Sequence, residues 1–133
     1  MEIRFANEKD TVRIIRAIQN KKMDYNNSNH VKADIALGRL VVAEENGKLL
    51  GSCAIVEETN WNYTAIKRVC VYSNKSKGKG VASSLINFVV ALGIENLGAT
   101  PWNDNPVMCH VFEKFGFKYQ YTFAENYQFY KRG

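Results

Sequence analysis

Lys77-Gly78-Lys79-Gly80-Val81-Ala82 joins a strand-like run that closes at Cys70-Val71-Tyr72 to an amphipathic, helix-like run that opens at Gly80. A glycine-rich turn at a helix start leaves backbone N–H groups without intrahelical acceptors, and the helix dipole adds positive potential there. Glycine lets an anion reach the backbone with no Cβ in the way, and Lys77 and Lys79 bring mobile positive charge. From the loop alone two readings stay open: a phosphate cradle, or a plain strand-to-helix turn that uses glycine for its geometry. The stretch lacks the Gly-Lys-Ser/Thr ending of a P-loop and does not fit GxGxxG.

N-terminal to this loop, Ile3–Ala6 alternates as a short strand, and Asn7–Asp10 is a turn with Asp10 or Thr11 as helix cap. Val12, Ile15 and Ile18, with Ile14 beside them, recur at helical spacing and predict a helix to about Lys22. A polar loop follows from Tyr25 to Asn29. Ser28 or Asn29 then caps a second helix with Val31, Ile35 and Leu37 inward and Gly38 at its end. Leu40–Glu44 and Leu49–Glu57 read as strands around the turn Glu45-Asn46-Gly47-Lys48, where Asn-Gly tolerates positive φ. After a loop at Asn60–Asn62, Tyr63–Tyr72 is rich in β-branched residues and reads as a central strand.

C-terminal to the loop, Val81, Leu85, Phe88, Val89 and Leu92 line one helix face, Gly98 ends that helix, and Ala99–Trp102 is a short strand. Asn103-Asp104-Asn105-Pro106 starts a last helix, which Gly116 ends. Phe117–Phe123 and Tyr127–Lys131 alternate as a final hairpin around Ala124–Asn126. The order β-α-α-β-β-β-α-β-α-β-β predicts an α/β (α+β) layer fold: a mixed, mostly antiparallel sheet of about seven strands flanked by about four helices. With no repeat or linker, the 133 residues are read as one domain, 1–133.

Hydrophobic residues make up 46% and charged residues 23%, a globular balance that excludes a disordered chain. The formal charge of +5 favours anionic partners without choosing among them. Three widely spaced cysteines, Cys53, Cys70 and Cys109, fit neither a disulfide framework nor a zinc site, so no metal is expected and a reducing cytoplasm fits. Met1–Phe5 lacks the apolar core of a signal peptide, and no apolar stretch approaches the length of a membrane span. The aromatics Tyr119, Tyr121, Phe123, Tyr127, Phe129 and Tyr130 fall on both strand parities and make no single stacking platform, which argues against a nucleic-acid partner.

Two motifs together resemble the GNAT superfamily of acyl-CoA N-acyltransferases. The family's pyrophosphate motif is Gln/Arg-x-x-Gly-x-Gly/Ala, and Lys77-Gly78-Lys79-Gly80-Val81-Ala82 departs from it only by Lys77. The second, Asn-x-x-Ala-x-x-Leu-Tyr-x-x-x-Gly-Phe, is met by Asn105, Gly116 and Phe117, with Met108, Val111 and Phe112 replacing Ala, Leu and Tyr. The predicted element order is similar to the family's over nearly the whole chain. The resemblance implies that the fourth and fifth strands splay apart to admit the pantetheine of acetyl-CoA. It further implies that the backbone of Val69 and Val71 pairs with that arm, that Lys77 to Ala82 hold the pyrophosphate, and that Asn105 and Phe112 add contacts from the last helix.

The implied activity is transfer of an acetyl group from acetyl-CoA to a primary amine of a small molecule, peptide or protein. The alternative is a degenerate relative that binds acyl-CoA as a sensor. Val71 N–H is the candidate oxyanion donor. Many relatives carry a tyrosine acid at the position of Phe112, which cannot donate a proton. Cys109 shares a helical face with Asn105 and Phe112, so it is read either as a replacement acid or as a packed thiol. Some relatives carry a glutamate base where this chain has Ala65. Glu57 and Glu58 are read either as bases acting through water or as surface charges, and His110 as a surface or packing residue. Fold analogy places Met23–Asn29 and Glu57–Tyr63 at the acceptor cleft, with Asp24, Asp34, Glu57 and Glu58 offering charge and Tyr25, Trp61 and Tyr63 apolar surface. A homodimer through Phe117–Lys131 is left open.

Overall fold

A computed structural model describes residues 1–20, 28–72, 80–101 and 105–133. Among these residues seven strands and four helices follow in chain order: β1 Glu2–Phe5, α1 Thr11–Asn20, α2 Ser28–Ala36, β2 Leu40–Glu45, β3 Lys48–Glu58, β4 Tyr63–Val71, α3 Val81–Ala91, β5 Leu97–Ala99, α4 Pro106–Lys114, β6 Phe117–Phe123 and β7 Tyr127–Arg132. They form one sheet in the order β1-β2-β3-β4-β5-β7-β6, with β4 at its centre. The β1/β2, β2/β3, β5/β7 and β6/β7 ladders are antiparallel and β4/β5 is parallel. The chain divides into two compact units, 1–54 with 68–85 and 55–67 with 86–133.

In the first unit, Asn46 (φ +53) and Gly47 (φ +78) both take the left-handed conformation and join β2 to β3, as Asn-Gly predicts. The α1 entry differs from expectation. Asn7 is the cap of a short 3-10 turn at Glu8–Asp10, and its side chain accepts from Lys9 N–H. The Asp10 carboxylate accepts from the Asn7 amide at 2.9 Å and from Arg4 and Arg13. Asp10 therefore closes a capping box and anchors charges on β1 and α1. Ile14 and Ile18 are buried, as the spacing predicts, whereas Val12, expected beside them, is 58% exposed. α2 ends in a Schellman turn: Gly38 N–H donates to Ile35 and Arg39 N–H to Asp34, with Gly38 at φ +67. Leu37, expected inward, lies in that turn and is exposed.

In the second unit α3 stops at Ala91, where Leu92 and Gly93 donate to the carbonyls of Val89 and Val90 and Gly93 sits at φ +72. Gly98 does not end the helix, as expected from sequence, but lies inside β5. A Cβ there would stand 2.9 Å from the Tyr63 ring, 3.1 Å from Phe129 and 3.1 Å from the Tyr130 carbonyl. β5 is therefore Leu97–Ala99 and not Ala99–Trp102; Trp102 lies outside the described residues. Leu92, just past α3, is 45% exposed, and on α3 Ile86 joins Val81, Leu85 and Val89 in burial.

Candidate functional site

α3 begins where the glycine-rich loop ends. Gly80 is at φ +75, and among the described residues nothing lies within 4 Å of where its Cβ would be. Its carbonyl accepts the first helical bond, from Ser84 N–H at 2.8 Å. The amides of Val81, Ala82 and Ser83 precede that bond and have no intrahelical acceptor. The start of α3 thus presents N–H groups and the positive end of a helix dipole beside an open glycine. Lys77, Gly78 and Lys79 lie outside the described residues.

Packing sets where that helix end stands. Gly51 on β3 faces the Cys70 carbonyl and the Val81 and Leu85 side chains. A Cβ on Gly51 would lie 2.6 Å from the first and 2.8 Å from Val81 Cγ1. The missing side chain lets α3 close on β3 and β4. Sequence reading passes over Gly51, because a glycine inside an apolar run carries no local signal of a close approach.

Within β4 the backbone reverses its facing. Thr64 N–H donates to the carbonyl of Asn96, on the β5 side, at 3.0 Å. Tyr72 N–H donates to Leu50 of β3 at 2.9 Å. Residues an even number apart in a regular strand aim their backbone groups to one side, so these two bonds require a switch between 64 and 72. The residue that supplies it is Arg68, at φ +54 in the left-handed region. The kink is bulge-like. Beyond it, Cys70 shares the facing of Tyr72, while the N–H and C=O of Val69 and Val71 turn away from β3. The β4/β5 ladder pairs only Thr64–Ile66 with Leu97–Ala99, although β4 runs on to Val71. Val69 and Val71 therefore lie past the last of these pairs.

Arg68 is held from α2. The Asp34 carboxylate, 2% exposed, accepts from Arg68 Nη2 at 2.8 and 2.9 Å and from Arg68 Nε at 3.2 Å. It also accepts from Arg39 Nε at 2.8 Å. Asp34, expected as charge for an external amine, is thus enclosed and already paired.

In the second unit Asn105 caps α4, its side chain accepting from Met108 N–H at 3.3 Å, with Pro106 in the first turn. Cys109 is buried and its thiol donates to Gln128 Oε1 at 3.4 Å. The Tyr130 hydroxyl donates toward Gln128 Oε1 (3.2 Å) and Glu113 Oε1 (3.3 Å). Burial first, then the neighbouring Cys109 and Glu113, hold the Tyr130 phenol above its usual range. Phe112 is 2% exposed and packs edge-on against Phe117. Ala65 is fully buried on β4, Glu58 pairs with Lys67, and Glu57 and His110 are exposed. Tyr63, Phe129 and Tyr121 pack in series as tilted rings, with centroids 4.9 and 5.3 Å apart. Residues 23–27 of the expected acceptor loop lie outside the described residues. Among the described residues no cluster of three or more His, Cys, Asp or Glu is placed to hold a metal ion, and no helix is long and apolar enough to cross a membrane.

The family model described as the acetyltransferase (GNAT) family matches residues 10–117. Comparison with curated protein sequences gave no significant match. Among solved structures, a GNAT-family acetyltransferase from Bacillus cereus is similar at 20% identity and a TM-score of 0.82, over 98% of this chain and 94% of that one. The ribosomal-protein-alanine N-acetyltransferase of Brucella melitensis is similar at 14% identity and a TM-score of 0.78, over 99% of each chain. Salmonella typhimurium yncA, solved with its cofactor acetyl-CoA, is similar at 19% identity and a TM-score of 0.74, over 98% of this chain and 91% of that one.

Proposed function

The chain belongs to the acetyltransferase (GNAT) family, and from that premise we propose that it transfers the acetyl group of acetyl-CoA to a primary amine of a small molecule, peptide or protein. The observation that carries this is the pairing, in one unit, of the open start of α3 at Gly80 with a β4 edge whose Val69 and Val71 backbone groups face away from β3. A diphosphate suits the first and an amide-bearing pantetheine suits the second, which would add to β4 as a strand does.

Residue roles follow from chemistry. Lys77, Gly78, Lys79, Gly80, Val81 and Ala82 bind the pyrophosphate, and Asn105 and Phe112 support the pantetheine from α4. The amine must be neutral to attack the thioester carbonyl. The oxyanion that forms needs a fixed donor, and Val71 N–H is assigned to it. The coenzyme then leaves as a thiolate. Cys109, whose thiol proton is engaged by Gln128, is assigned the protonation of that thiolate, with packing as its other role. Replacing Cys109 by alanine separates the two: a packing role leaves kcat within about threefold, whereas loss of a general acid lowers it by about a hundredfold or more. The three free cysteines, all buried, suit a reducing, cytoplasmic setting.

A thiol-release assay with acetyl-CoA and a panel of monoamines, polyamines and peptides tests the activity. Turnover with any amine supports it. Tight CoA binding with no release across the panel would favour the second reading, an acyl-CoA sensor. That reading draws on Phe112 and Ala65, two buried apolar residues where relatives carry an acid and a base.

A further inference from the structure

We propose that Asp34, acting through Arg68, is a positioning residue for the coenzyme edge of β4; this rests on the transferase reading above. A left-handed φ costs an ordinary side chain steric energy, and at +54° Arg68 bears that cost inside a strand. Something must hold it there. Both oxygens of the Asp34 carboxylate accept from Arg68 Nη2, at 2.8 and 2.9 Å, one of them also accepts from Nε at 3.2 Å, and Asp34 is itself 2% exposed. A buried, multiply bonded carboxylate fixes its partner in direction as well as distance. Arg39, in the Schellman turn that ends α2, donates from Nε to Oδ1 of the same carboxylate at 2.8 Å. The guanidinium is thereby tied to the end of α2, which cannot rotate without breaking its own cap. With the side chain so anchored, the Arg68 backbone stays kinked and the Val69 and Val71 groups stay turned from β3. Release of the anchor lets residue 68 relax toward extended φ. That change returns Val69 and Val71 to the β3 facing and removes the edge from the coenzyme. Asp34 touches no substrate in this scheme; its effect passes through a backbone angle.

The test compares Arg68→Ala with Arg68→Gly. Both delete the same ion pair, so an ordinary stabilising salt bridge predicts equal losses. Only glycine takes positive φ without strain. Coenzyme A affinity, measured by calorimetry on the full chain, should fall about tenfold or more for Arg68→Ala and less than about threefold for Arg68→Gly. Asp34→Asn should weaken binding about tenfold in the native background and add little in the Arg68→Gly background. Amide hydrogen exchange at Val69 and Val71 without ligand should change in Arg68→Ala and Asp34→Asn more than in Arg68→Gly. Equal affinity losses for alanine and glycine, or an Asp34→Asn loss that persists undiminished over Arg68→Gly, would overturn the proposal. Should Asp34→Asn fail to fold, the alanine–glycine pair decides alone. Wild-type protein that gives no heat with coenzyme A overturns the transferase reading instead, and the exchange pattern still judges whether Asp34 holds the kink.

Discussion

Gly80 combines a left-handed φ of +75 with a Cβ position that no atom of the described residues approaches within 4 Å, so substitution there acts through strain and charge. Gly80→Asp puts a carboxylate at the N–H end of α3. We expect coenzyme A affinity to drop at least about a hundredfold by calorimetry, from lost glycine freedom and repulsion of the diphosphate. Gly80→Ala should show only the strain, about tenfold. Phe112 behaves differently. Its ring is enclosed against Phe117, so Phe112→Tyr must bury a hydroxyl. Without a partner this costs about 1–3 kcal/mol. We expect a lower melting temperature and no gain in kcat. A faster enzyme at unchanged stability would place that hydroxyl at the sulfur after all.

At the scale of elements, the contact that matters most for the site is α3 against β3 and β4 at Gly51. Gly51→Ala would force a Cβ to within 2.6 Å of a backbone carbonyl, which cannot swing aside as a long side chain can. Overpacking of this kind costs about 1–3 kcal/mol. Because Val81 is the other neighbour, at 2.8 Å, relief comes by moving the start of α3. Gly51→Ala should therefore lower the melting temperature and raise the Kd for coenzyme A together. A melting change with unaltered Kd would mean that the strands yield and the helix does not. Gly98 plays the matching part under Tyr63 and Phe129 in the second unit. Both glycines sit inside strands, so their role comes from what approaches them and not from a turn.

For the molecule as a whole, acid stability should be governed by the Asp10 cluster. Arg4 first, and then the Asn7 amide and Arg13, hold the Asp10 carboxyl below its ordinary value of 3.8 against the opposing effect of burial. Arg4 and Arg13 likewise lower Glu44. A carboxyl depressed in the folded state stabilises fully above its unfolded pKa, and that stability drains away as pH falls below it. Thermal melts of the wild type should be flat with respect to these groups above about pH 5 and fall steeply below about pH 4. Asp10→Asn should melt lower at neutral pH and lose less between pH 5 and pH 2; parallel curves for the two proteins would remove Asp10 as the source.

Most of the architecture is legible in the sequence alone, because it rests on neighbours in the chain. The Asn46-Gly47 hairpin, the Gly38 and Gly116 helix ends, the Asn105-Pro106 helix start and the order of the seven strands follow from backbone preferences and short-range periodicity. The glycine-rich opening of α3 was legible for the same reason. Asp34 and Arg68 were not, since 34 residues separate them and nothing local marks an arginine for positive φ. The exposure of Leu37, the place of Gly98 in β5 and the close approach at Gly51 were equally hidden. Short-range physics sets which segments become helix or strand. Which faces are buried, where a strand kinks and which glycine must stay bare depend on atoms that only folding brings together.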